Sequence, residues 1–332
     1  MTTLAKTESQ LVERIEEVGD KIKKVRETTT SIIFGQERVI DLALITLLSG
    51  GHALLIGVPG LAKTSLVETL GAVLGLQNKR IQFTPDLMPS DIVGSEVLEE
   101  SATGRRSFRF VEGPIFTQLL MADEINRASP KTQSALLQAM QEHHVTVAGM
   151  RHDVPRPFHV LATQNPLEQE GTYPLPEAQL DRFLLQIDVS YPDLAAERRM
   201  LFATTGVEER VLKTILSAEE LMAAQRLVRQ LPVGDQVVDA ILKLVRSARP
   251  GTGIDQELDD MIAWGPGPRA SQALMLAVRA KAMIEGRLAP SVDDVIELAE
   301  PVLKHRMALT FAARAEGVEM SGMVARLVEP LG

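Results

Sequence analysis

The segment from Leu54 to Ser65 constrains the possible folds of this chain more strongly than any other part of it. A short apolar run ends in a turn that contains two glycines and a proline, and a Lys-Thr pair then opens a helix-forming stretch. A phosphate-binding loop requires this order of strand, glycine-rich turn and helix. Glycines let backbone N–H groups converge on an anion, and the unpaired N–H groups at the helix start add to the attraction. We therefore predict a phosphate site built by Gly57, Val58, Pro59, Gly60, Leu61, Ala62, Lys63, Thr64 and Ser65.

Three residues of this loop carry separate expectations. Lys63 would reach the β- and γ-phosphates as a point charge, and Thr64 would offer its hydroxyl to Mg²⁺. Ala62 stands where a glycine is expected before the lysine, and alanine is sterically allowed there if it already lies in the first helical turn. The alternative is a Gly-Pro turn beside an incidental lysine, and the strand and helix that flank the loop disfavour it.

The composition bounds the class of protein. A chain of 332 residues with 45% hydrophobic and 24% charged residues is long enough for one large or, more often, two globular domains. Its net charge of −9 argues against a nucleic-acid partner, although a local basic channel around Arg105, Arg106 and Arg109 stays open as an alternative. No apolar run approaches the roughly 20 residues of a membrane span. The lack of cysteine and of such a run favours a cytoplasmic protein.

Strand and helix patterns alternate in the first part of the chain. Strand candidates occur at 53–57, 79–83, 117–123, 157–163 and 183–189. Helical periodicity fills most of the intervals, which is typical of an α/β fold with a mainly parallel five-stranded sheet covered on both faces. After residue 192 the strand signals stop. We predict an α/β nucleotide-binding domain over 1–192 and an all-α domain over 193–332.

Two interruptions break this alternation. The first spans about 84–114 and contains a short helix near Pro89–Val93, followed by a turn at Thr103-Gly104 between strand-like flanks. The second spans about 143–157 and has the pattern of a β-hairpin. Hairpins that project from an α/β core serve contact more often than stability.

Two adjacent acids end the strand at 117–123. Carboxylates at the carboxyl edge of a parallel sheet lie where ligands bind in such folds. Asp123 would hold Mg²⁺ through its water shell, and Glu124 would polarise a water for in-line attack on a γ-phosphate. A solvated acidic strand end is the alternative, and the phosphate loop upstream disfavours it.

Asn165 follows the next buried strand, in the run Ala162-Thr163-Gln164-Asn165-Pro166. Its amide would bind the attacking water or the γ-phosphate and so report which nucleotide is present. An asparagine before a proline is also a common turn former. Its place at the end of a buried strand favours the functional interpretation.

Two arginines are candidates for phosphate contact. Arg182 lies late in a short predicted helix, where it would act on the γ-phosphate of a neighbouring subunit or simply pair with an acid such as Asp181. The spacing does not choose between these. Arg269 falls in the first turn of a predicted helix, where a cation is unfavourable unless a phosphate binds there or a carboxylate such as Asp259 or Asp260 pairs with it.

Histidines near the second interruption do not form a strong metal pattern. They lie in Glu142-His143-His144 and at His152, and surface or packing roles are the simpler interpretation.

Five motifs, in their order along the chain, resemble those of the AAA+ ATPases, and their amino-acid sequences are similar to those of the MoxR family. They are Gly57–Thr64, Ala122–Ala128, Ala162–Pro166, Pro176–Phe183 and Gly265–Ala270, and the resemblance covers nearly the whole chain. The alanine before the lysine is itself typical of MoxR proteins. The resemblance implies an AAA+ core with a C-terminal helical lid.

The resemblance also implies roles for individual residues. By this resemblance, Lys63 and Thr64 belong to the Walker A motif and Asp123 and Glu124 to the Walker B motif. Asn165 takes the position of sensor 1. Arg182 takes the arginine-finger place and Arg269 that of sensor 2, either toward its own nucleotide or toward a neighbour's. Ile33, Gly35 and Gln36 match the segment that lies against adenine. The interruptions match the helix-2 insert and the hairpin before sensor 1.

Partners and activity follow from the same resemblance. Relatives bind ATP with Mg²⁺ at the interfaces of homo-oligomeric rings, usually hexamers, and remodel protein clients. They often act with a von Willebrand factor A domain protein to mature enzymes or install metal cofactors. Three rivals stay open: a DNA-dependent motor, a chelatase-type motor subunit and a scaffold that binds ATP without cleaving it. The intact Asp123-Glu124 pair argues against the scaffold.

Overall fold

The computed structural model describes residues 2–100, 106–168, 171–205, 212–251 and 256–332. The strands, in chain order, are β1 (Ala53–Ile56), β2 (Asn78–Gln82), β3 (Gly94–Glu100), β4 (Arg106–Glu112), β5 (Leu119–Asp123), β6 (His144–Val147), β7 (Met150–Asp153), β8 (His159–Gln164), β9 (Leu185–Asp188), β10 (Ile262–Trp264) and β11 (Ala308–Leu309). The α-helices are α1 (Thr2–Thr30), α2 (Glu37–Leu48), α3 (Lys63–Val73), α4 (Pro89–Val93), α5 (Pro130–Glu142), α6 (Glu177–Leu180), α7 (Leu194–Thr204), α8 (Ala218–Gln230), α9 (Asp235–Ser247), α10 (Gln256–Met261), α11 (Pro268–Ile284), α12 (Val292–Leu303), α13 (Phe311–Ala315) and α14 (Met320–Val328). Three 3₁₀ turns complete the set, at Ile125–Arg127, Lys304–Arg306 and Glu329–Leu331.

The core of the molecule is a five-stranded sheet with the strand order β2-β5-β8-β1-β9. All four pairings in it are parallel, so the carboxyl ends of the strands meet at one edge. The predicted α/β fold with a mainly parallel sheet is therefore confirmed, and each of its strands overlaps one of the five predicted strand segments.

Both faces of the sheet are buried along its inner strands, β5, β8 and β1. Successive side chains of a strand point to opposite faces. In β1, Leu55 joins an apolar cluster formed largely by α1, α2, α3 and the C-terminal helices, whereas Leu54 joins a cluster with α5 on the other face. This double burial explains why the inner strands β1 and β5 are nearly continuous apolar runs, whereas the edge strand β2 is polar and mostly exposed.

Both predicted interruptions contain an antiparallel hairpin. In the first, α4 leads into β3, which pairs with β4, while residues 101–105, among them Thr103, Gly104 and Arg105, lie outside the described residues. Arg106 pairs with Glu100, and Arg109 pairs with Glu99. The arginines of the suggested basic channel that the structure describes are therefore partly neutralised across the hairpin. In the second interruption β6 pairs with β7.

The C-terminal part is helical, as predicted, and packs as a lid against the sheet domain. Buried side chains of α8, α9, α11 and α12 share one apolar cluster with α1, α2 and α3. A feature that the sequence analysis did not predict is the short antiparallel pairing of β10 with β11 inside this lid.

Candidate nucleotide site

A cavity of about 420 Å³ opens at the carboxyl edge of the sheet, between the β1–α3 loop and the ends of β2, β5 and β8. The side chains predicted for phosphate and metal chemistry meet there, although more than 100 residues separate the first from the last. Its lining is Pro59, Gly60, Leu61, Ala62, Lys63, Thr64, Ser65, Arg80, Gln82, Asp123, Glu124, Thr163 and Asn165.

The path of the loop depends on glycine. A Cβ on Gly57 would lie 2.6 Å from the carbonyl oxygen of Val189, so a larger residue would force the loop away from the end of β9. Gly60 has a φ of +84°, in the region that favours glycine. The loop therefore turns tightly before α3, and the first N–H groups of α3 face the cavity mouth without intrahelical partners.

Lys63 lies at the start of α3, and its side chain folds back over the loop. Its Nζ donates hydrogen bonds to the carbonyl oxygens of Gly57 at 2.5 Å and Val58 at 2.8 Å. Partial burial lowers the pKa of this ammonium, while the nearby carboxylates of Asp123 and Glu124 oppose the shift. The cation is thus held in the cavity between the loop and the two acids.

Ala62 differs from the expectation drawn from the sequence. It lies outside the first helical turn, because α3 begins at Lys63 and Ala62 has a φ of +56° and a ψ of +20°. This left-handed conformation costs an L-residue about 1–2 kcal/mol. The premise that alanine fits here as a helical residue is therefore wrong, and the loop instead carries local strain.

One hydroxyl links the two acids at the end of β5. Thr163 of β8 is buried, and its Oγ1 donates to Asp123 Oδ1 at 2.5 Å and accepts from the backbone N–H of Glu124 at 2.9 Å. Thr163 belongs to the run Ala162–Pro166, but nothing in the sequence indicates a role for it. The structure gives it one, since it fixes the carboxylate of Asp123 and the backbone of Glu124 together.

Glu124 has two side-chain partners and a strained backbone. Its Oε2 accepts hydrogen bonds from Gln82 Nε2 at 2.7 Å and from Arg127 Nη1 at 3.0 Å. Its φ is +56° and its ψ +51°, a left-handed conformation that is uncommon for non-glycine residues and is enriched at functional sites. The carboxylate is therefore aimed by contacts from β2 and from the turn that follows β5.

Arg80 and Gln82 of β2 were missed by the sequence analysis. They lie two residues apart, hence on one face of the strand, and Gln82 stands opposite Asp123 in the parallel register. Arg80 pairs with Asp123 and Gln82 binds Glu124. A predicted register would have been needed to find them, because no motif contains them.

Asn165 lies just beyond β8 and is buried at the edge of the cavity. Its Oδ1 accepts a hydrogen bond from the backbone N–H of Leu167 at 3.1 Å. This bond is the local turn contact that the sequence analysis considered, and it leaves the amide nitrogen available to the cavity.

A second cavity of about 360 Å³ adjoins the first and shares the loop from Pro59 to Ala62 with it. Its other walls come from the segment between α1 and α2 and from the start of the lid, and it is more apolar. Its lining is Ile32, Ile33, Phe34, Gln36, Pro59, Gly60, Leu61, Ala62, Ser65, Tyr191, Pro192, Glu197 and Met200. The first cavity is lined by the predicted phosphate-binding loop, and the second is more apolar. This pair of cavities suits a nucleotide whose phosphates occupy the first and whose base occupies the second.

Gly35 and Gln36 hold the two walls of this second cavity together. Gly35 has a φ of +68°, and a Cβ on it would lie 2.6 Å from the Cβ of Ala196. Gln36 donates from Nε2 to the carbonyl oxygen of Ser190 at 2.7 Å. Ile33 is buried and faces the cavity, whereas Gly35 and Gln36 shape it mainly through these contacts.

Arg182 and Arg269 lie elsewhere. Neither belongs to the described lining of the first two cavities, and both line a third one of about 290 Å³ on a different side of the molecule. Arg182 follows α6 instead of lying within it, and its Nη1 donates to the carbonyl oxygen of Leu137 at 2.6 Å. The structure does not bring these arginines together with Lys63.

Arg269 occupies the first turn of α11, as predicted. Its Nη1 lies 3.4 Å from Asp181 Oδ2, so the structure pairs it with an acid beside Arg182 and not with the suggested Asp259 or Asp260. Its side chain is half exposed. Arg269 and Arg182 are thus neighbours through Asp181.

The histidines of the second hairpin have ordinary contacts. His152 stacks on Phe110 with ring centroids 3.8 Å apart, and His144 lies 3.4 Å from the carboxylate of Glu142. In the described ranges, no group of three or more His, Cys, Asp or Glu side chains could hold a metal ion. Every helix of the same ranges is too short or too polar to cross a membrane.

The sheet order, with a phosphate loop after β1, polar strand ends at β5 and β8 and a helical lid, defines the AAA+ class of ATPases. Sequence comparison agrees with this assignment. Residues 52–185 match the ATPase family associated with various cellular activities, and residues 255–327 match the AAA lid domain.

Relatives that match over most of their length identify the family within the AAA+ class. The chain is 42% identical over 299 residues to Chaperone MoxR1 of Mycobacterium tuberculosis, covering 90% of this chain and 78% of that protein. It is 38% identical to the uncharacterized protein YeaC of Bacillus subtilis over 94% of this chain and 95% of that one. It is 32% identical to Protein MoxR of Paracoccus denitrificans, covering 87% and 89% of the two chains. This chain belongs to the MoxR family of AAA+ ATPases.

A solved structure supports the same fold over the whole chain. The crystal structure of a candidate ATPase from Cytophaga hutchinsonii superimposes with a TM-score of 0.90 at 35% identity, covering 99% of this chain and 98% of the other. The predicted AAA+ core with a C-terminal helical lid is confirmed.

Proposed function

We propose that this ATPase hydrolyses ATP with Mg²⁺ in a homo-oligomeric ring, most simply a hexamer, and uses the energy to remodel a protein client. The observation that carries the proposal is the first cavity, where Lys63, Thr64, Asp123, Glu124 and Asn165 converge. A phosphate-binding loop, a pair of acids and a polar strand end are the parts that phosphoryl transfer to water needs.

The oxygen donors in the cavity fit Mg²⁺. The ion prefers hydroxyl and carboxylate oxygens and keeps several of its waters. Thr64 would hold it directly, and Asp123, fixed by Thr163, would hold it through its water shell. When bound, Mg²⁺ neutralises charge on the β- and γ-phosphates.

The remaining residues of the cavity divide the chemistry. Lys63 would exchange its contacts with the loop carbonyls for phosphate oxygens and stabilise their charge. Glu124, aimed by Gln82 and Arg127, would accept a proton from the attacking water. Asn165 would orient that water or contact the γ-phosphate through its amide nitrogen.

The adjoining apolar cavity would receive the adenine. Ile33 supplies an apolar wall, and Gly35 and Gln36 keep the segment before α2 against the chain around Ser190. The loop shared by both cavities, from Pro59 to Ala62, would lie beneath the phosphates next to the ribose.

The separate position of the arginines supports action between subunits. Arg182 and Arg269 line one cavity that does not contain Lys63, and Asp181 lies between them. If Arg182 completes the site of a neighbouring copy, Arg269, which lines the same cavity, would lie near the same phosphate. We therefore assign both arginines to the neighbour's nucleotide, which requires contact between copies of the chain, as in a ring.

The client is a protein in this proposal. The two hairpins carry exposed apolar side chains, among them Phe108 at 69% and Met150 at 61% exposure. The relative from Mycobacterium tuberculosis is named a chaperone. A von Willebrand factor A domain protein is the proposed accessory partner, and insertion of a metal cofactor into the client is one form the remodelling would take.

Phosphate release tests the proposal. The wild-type protein should hydrolyse ATP only with Mg²⁺, and Lys63→Ala should lower the rate at least 100-fold, since the lysine charge on the phosphates is lost. Lys213→Ala removes an exposed lysine of the lid and serves as the matched control. Undiminished hydrolysis by Lys63→Ala would remove this cavity from the reaction.

The ring and the client need separate measurements. Analytical ultracentrifugation with ATP should show a species with several times the mass of one chain, and a monomer under all nucleotide conditions would contradict the ring. A non-native protein substrate should stimulate hydrolysis. Stimulation by single-stranded DNA alone, steeply reduced by salt, would instead favour the DNA motor.

A further inference from the structure

Arg306 is an arginine buried at the junction between the lid and the sheet domain. It ends the 3₁₀ turn Lys304–Arg306 that follows α12, and its side chain is 2% exposed. Charged side chains are seldom buried this far unless they are paired. The partners of Arg306 therefore indicate what it is for.

All of the N–H groups of this guanidinium have partners, and most of these belong to one segment. Nε donates to Asp181 Oδ1 at 2.8 Å, and Nη2 donates to the carbonyl oxygens of Phe183 at 2.5 Å and of Asp181 at 3.5 Å. Nη1 donates to the carbonyl oxygen of Leu184 at 3.1 Å and to that of Val302, near the end of α12, at 2.6 Å.

That segment, residues 181–184, joins α6 to β9 and carries Arg182. His305, which precedes Arg306 in the lid, adds a contact of 3.0 Å between its Nε2 and the carbonyl oxygen of Phe183. All residues of this segment except Arg182 thus present a carbonyl or a carboxylate to the lid. The path of the backbone on both sides of Arg182 follows from these contacts.

The chemistry suits a fixed support. A guanidinium is planar, presents five donors in a rigid fork and stays charged. A lysine offers three donors at one point and cannot reach the same set of oxygens. Buried carbonyl oxygens that lose their partner are costly, so the segment would shift to regain hydrogen bonds.

We propose that Arg306 is a positioning residue for ATP hydrolysis: it holds the 181–184 segment so that Arg182 reaches the nucleotide of the neighbouring subunit. The inference rests on the proposed role of Arg182 between subunits. The lid of one copy then governs hydrolysis in the next copy, because Arg306 belongs to the lid and the phosphate belongs to the neighbour's loop.

A purely structural role would have different consequences. If Arg306 only kept the lid on the sheet domain, its loss would weaken the protein's own nucleotide cavity, whose second part is walled by Tyr191 and Met200. If Arg306 positions Arg182, its own cavity should bind ATP normally and the neighbour's turnover should fall.

The first experiment compares Arg306→Lys with Lys304→Ala. Lys304 lies in the same 3₁₀ turn and pairs with Asp188 of β9 and with Glu300, so its loss removes a contact between lid and sheet without touching the 181–184 segment. Arg306→Lys should lower kcat by about 10- to 100-fold with KM changed less than about threefold, because a shift of about 1 Å costs that much. Lys304→Ala should keep kcat within about twofold of the wild type.

The second experiment mixes variants within rings. Arg306→Lys subunits have an intact loop, and Lys63→Ala subunits have an intact Arg182 segment, so mixed rings should regain activity. Arg306→Lys mixed with Arg182→Ala should regain none, since both lack the same function. Arg182→Ala mixed with Lys63→Ala provides the reference for action between subunits.

The outcomes separate the two levels of the proposal. No recovery in the reference mixture contradicts action between subunits and, with it, both proposals. If activity recovers in the reference mixture but not in the mixture of Arg306→Lys with Lys63→Ala, only the proposed role of Arg306 is contradicted. A rise in KM that accounts for the lost activity of Arg306→Lys contradicts the same role.

A second variant covers the case in which Arg306→Lys does not fold, as judged by circular dichroism. Asp181→Asn keeps an oxygen acceptor for Arg306 Nε but removes the negative charge. Asp181→Asn should lower kcat less than Arg306→Lys, and its activity should recover with Lys63→Ala but not with Arg182→Ala. If Arg306→Lys is unfolded and Asp181→Asn has wild-type activity, Arg306 is a structural residue and the proposal is overturned.

Discussion

The guanidinium of Arg80 lies against the carboxylate of Asp123, with Nε 3.1 Å from Oδ2 and Nη2 2.5 Å from the same oxygen. The two residues come from adjacent parallel strands and are diagonal neighbours in their register. Arg80 is half exposed, whereas Asp123 is nearly buried. The acid proposed for Mg²⁺ therefore has a cation on one oxygen and the hydroxyl of Thr163 on the other.

This pair predicts that Arg80 competes with Mg²⁺ for Asp123. Arg80→Gln should lower the Mg²⁺ concentration that gives half-maximal hydrolysis, by up to about fivefold, since a half-exposed ion pair contributes about 1 kcal/mol or less. The measurement is a Mg²⁺ titration of phosphate release at saturating ATP. Lys79→Gln removes an exposed charge one residue away and should leave the midpoint unchanged. A higher midpoint in Arg80→Gln would mean that Arg80 assists binding of the metal or the nucleotide.

Glu124→Gln should separate binding from hydrolysis. The amide retains hydrogen-bonding groups for Gln82 and Arg127 but cannot take a proton, so turnover should fall by about 10²- to 10⁴-fold. ATP affinity, measured by calorimetry, should stay within a few-fold of the wild type. Glu68→Gln on the exposed side of α3 is the matched control. Retained turnover in Glu124→Gln would exclude Glu124 as the base.

Ala62→Gly should stabilise the protein slightly. Glycine adopts the observed φ of +56° without the cost of about 1–2 kcal/mol that alanine has there, while its freedom in the unfolded chain offsets about 0.4–1 kcal/mol. The free energy of unfolding in urea should therefore rise by up to about 1.5 kcal/mol, with hydrolysis retained. A clear loss of stability would show that the methyl group makes contacts worth more than the strain.

Two buried histidines predict a loss of stability in mild acid. Burial is the first cause that lowers the pKa of His52 to about 3 and that of His159 to about 4, while both rings hydrogen-bond to backbone groups in the folded protein. The unfolded chain takes up these protons near pH 6.5, so their contribution is complete above that pH and is lost as the pH falls toward 4 and below.

The size of this effect can be measured by urea unfolding at pH 7 and pH 5. Each histidine should lower the apparent free energy of unfolding by roughly 2 kcal/mol at pH 5 relative to pH 7, because the unfolded form alone is protonated in this interval. His52→Gln should reduce the difference between the two pH values. An equal difference in the wild type and in His52→Gln would show that His52 is not held neutral by the fold.

Much of the fold could be predicted because its inner strands, β1, β5 and β8, are buried on both faces. The run 53–57 stands out as a short, continuous apolar segment, and helical periodicity between the strand candidates implies parallel pairing. The β10–β11 pairing could not be predicted in this way, because it joins strands of three and two residues that lie far apart in the chain. The division into domains near residue 192 stays a prediction.

The site residues, too, fall into those that the sequence could predict and those that it could not. Lys63, Thr64, Asp123, Glu124 and Asn165 follow strand ends, and parallel strands bring such ends to one edge, so their convergence was predictable. Contacts that depend on register or on distant packing were not. Gln82 meets Glu124 only through the β2–β5 register, and Arg306 meets Asp181 across 125 residues of sequence. Their roles, like those of all the site residues, stay predictions.

Calorimetric titration with a non-hydrolysable ATP analogue and Mg²⁺ tests the central claim most directly. The wild-type chain should bind about one analogue per subunit, and Lys63→Ala should bind it at least about tenfold more weakly, since a charge-assisted phosphate contact contributes roughly 1.5–3 kcal/mol. Heat of binding that is absent from the wild type, or equal in the two proteins, would contradict the assignment of the cavity at Lys63 to the triphosphate.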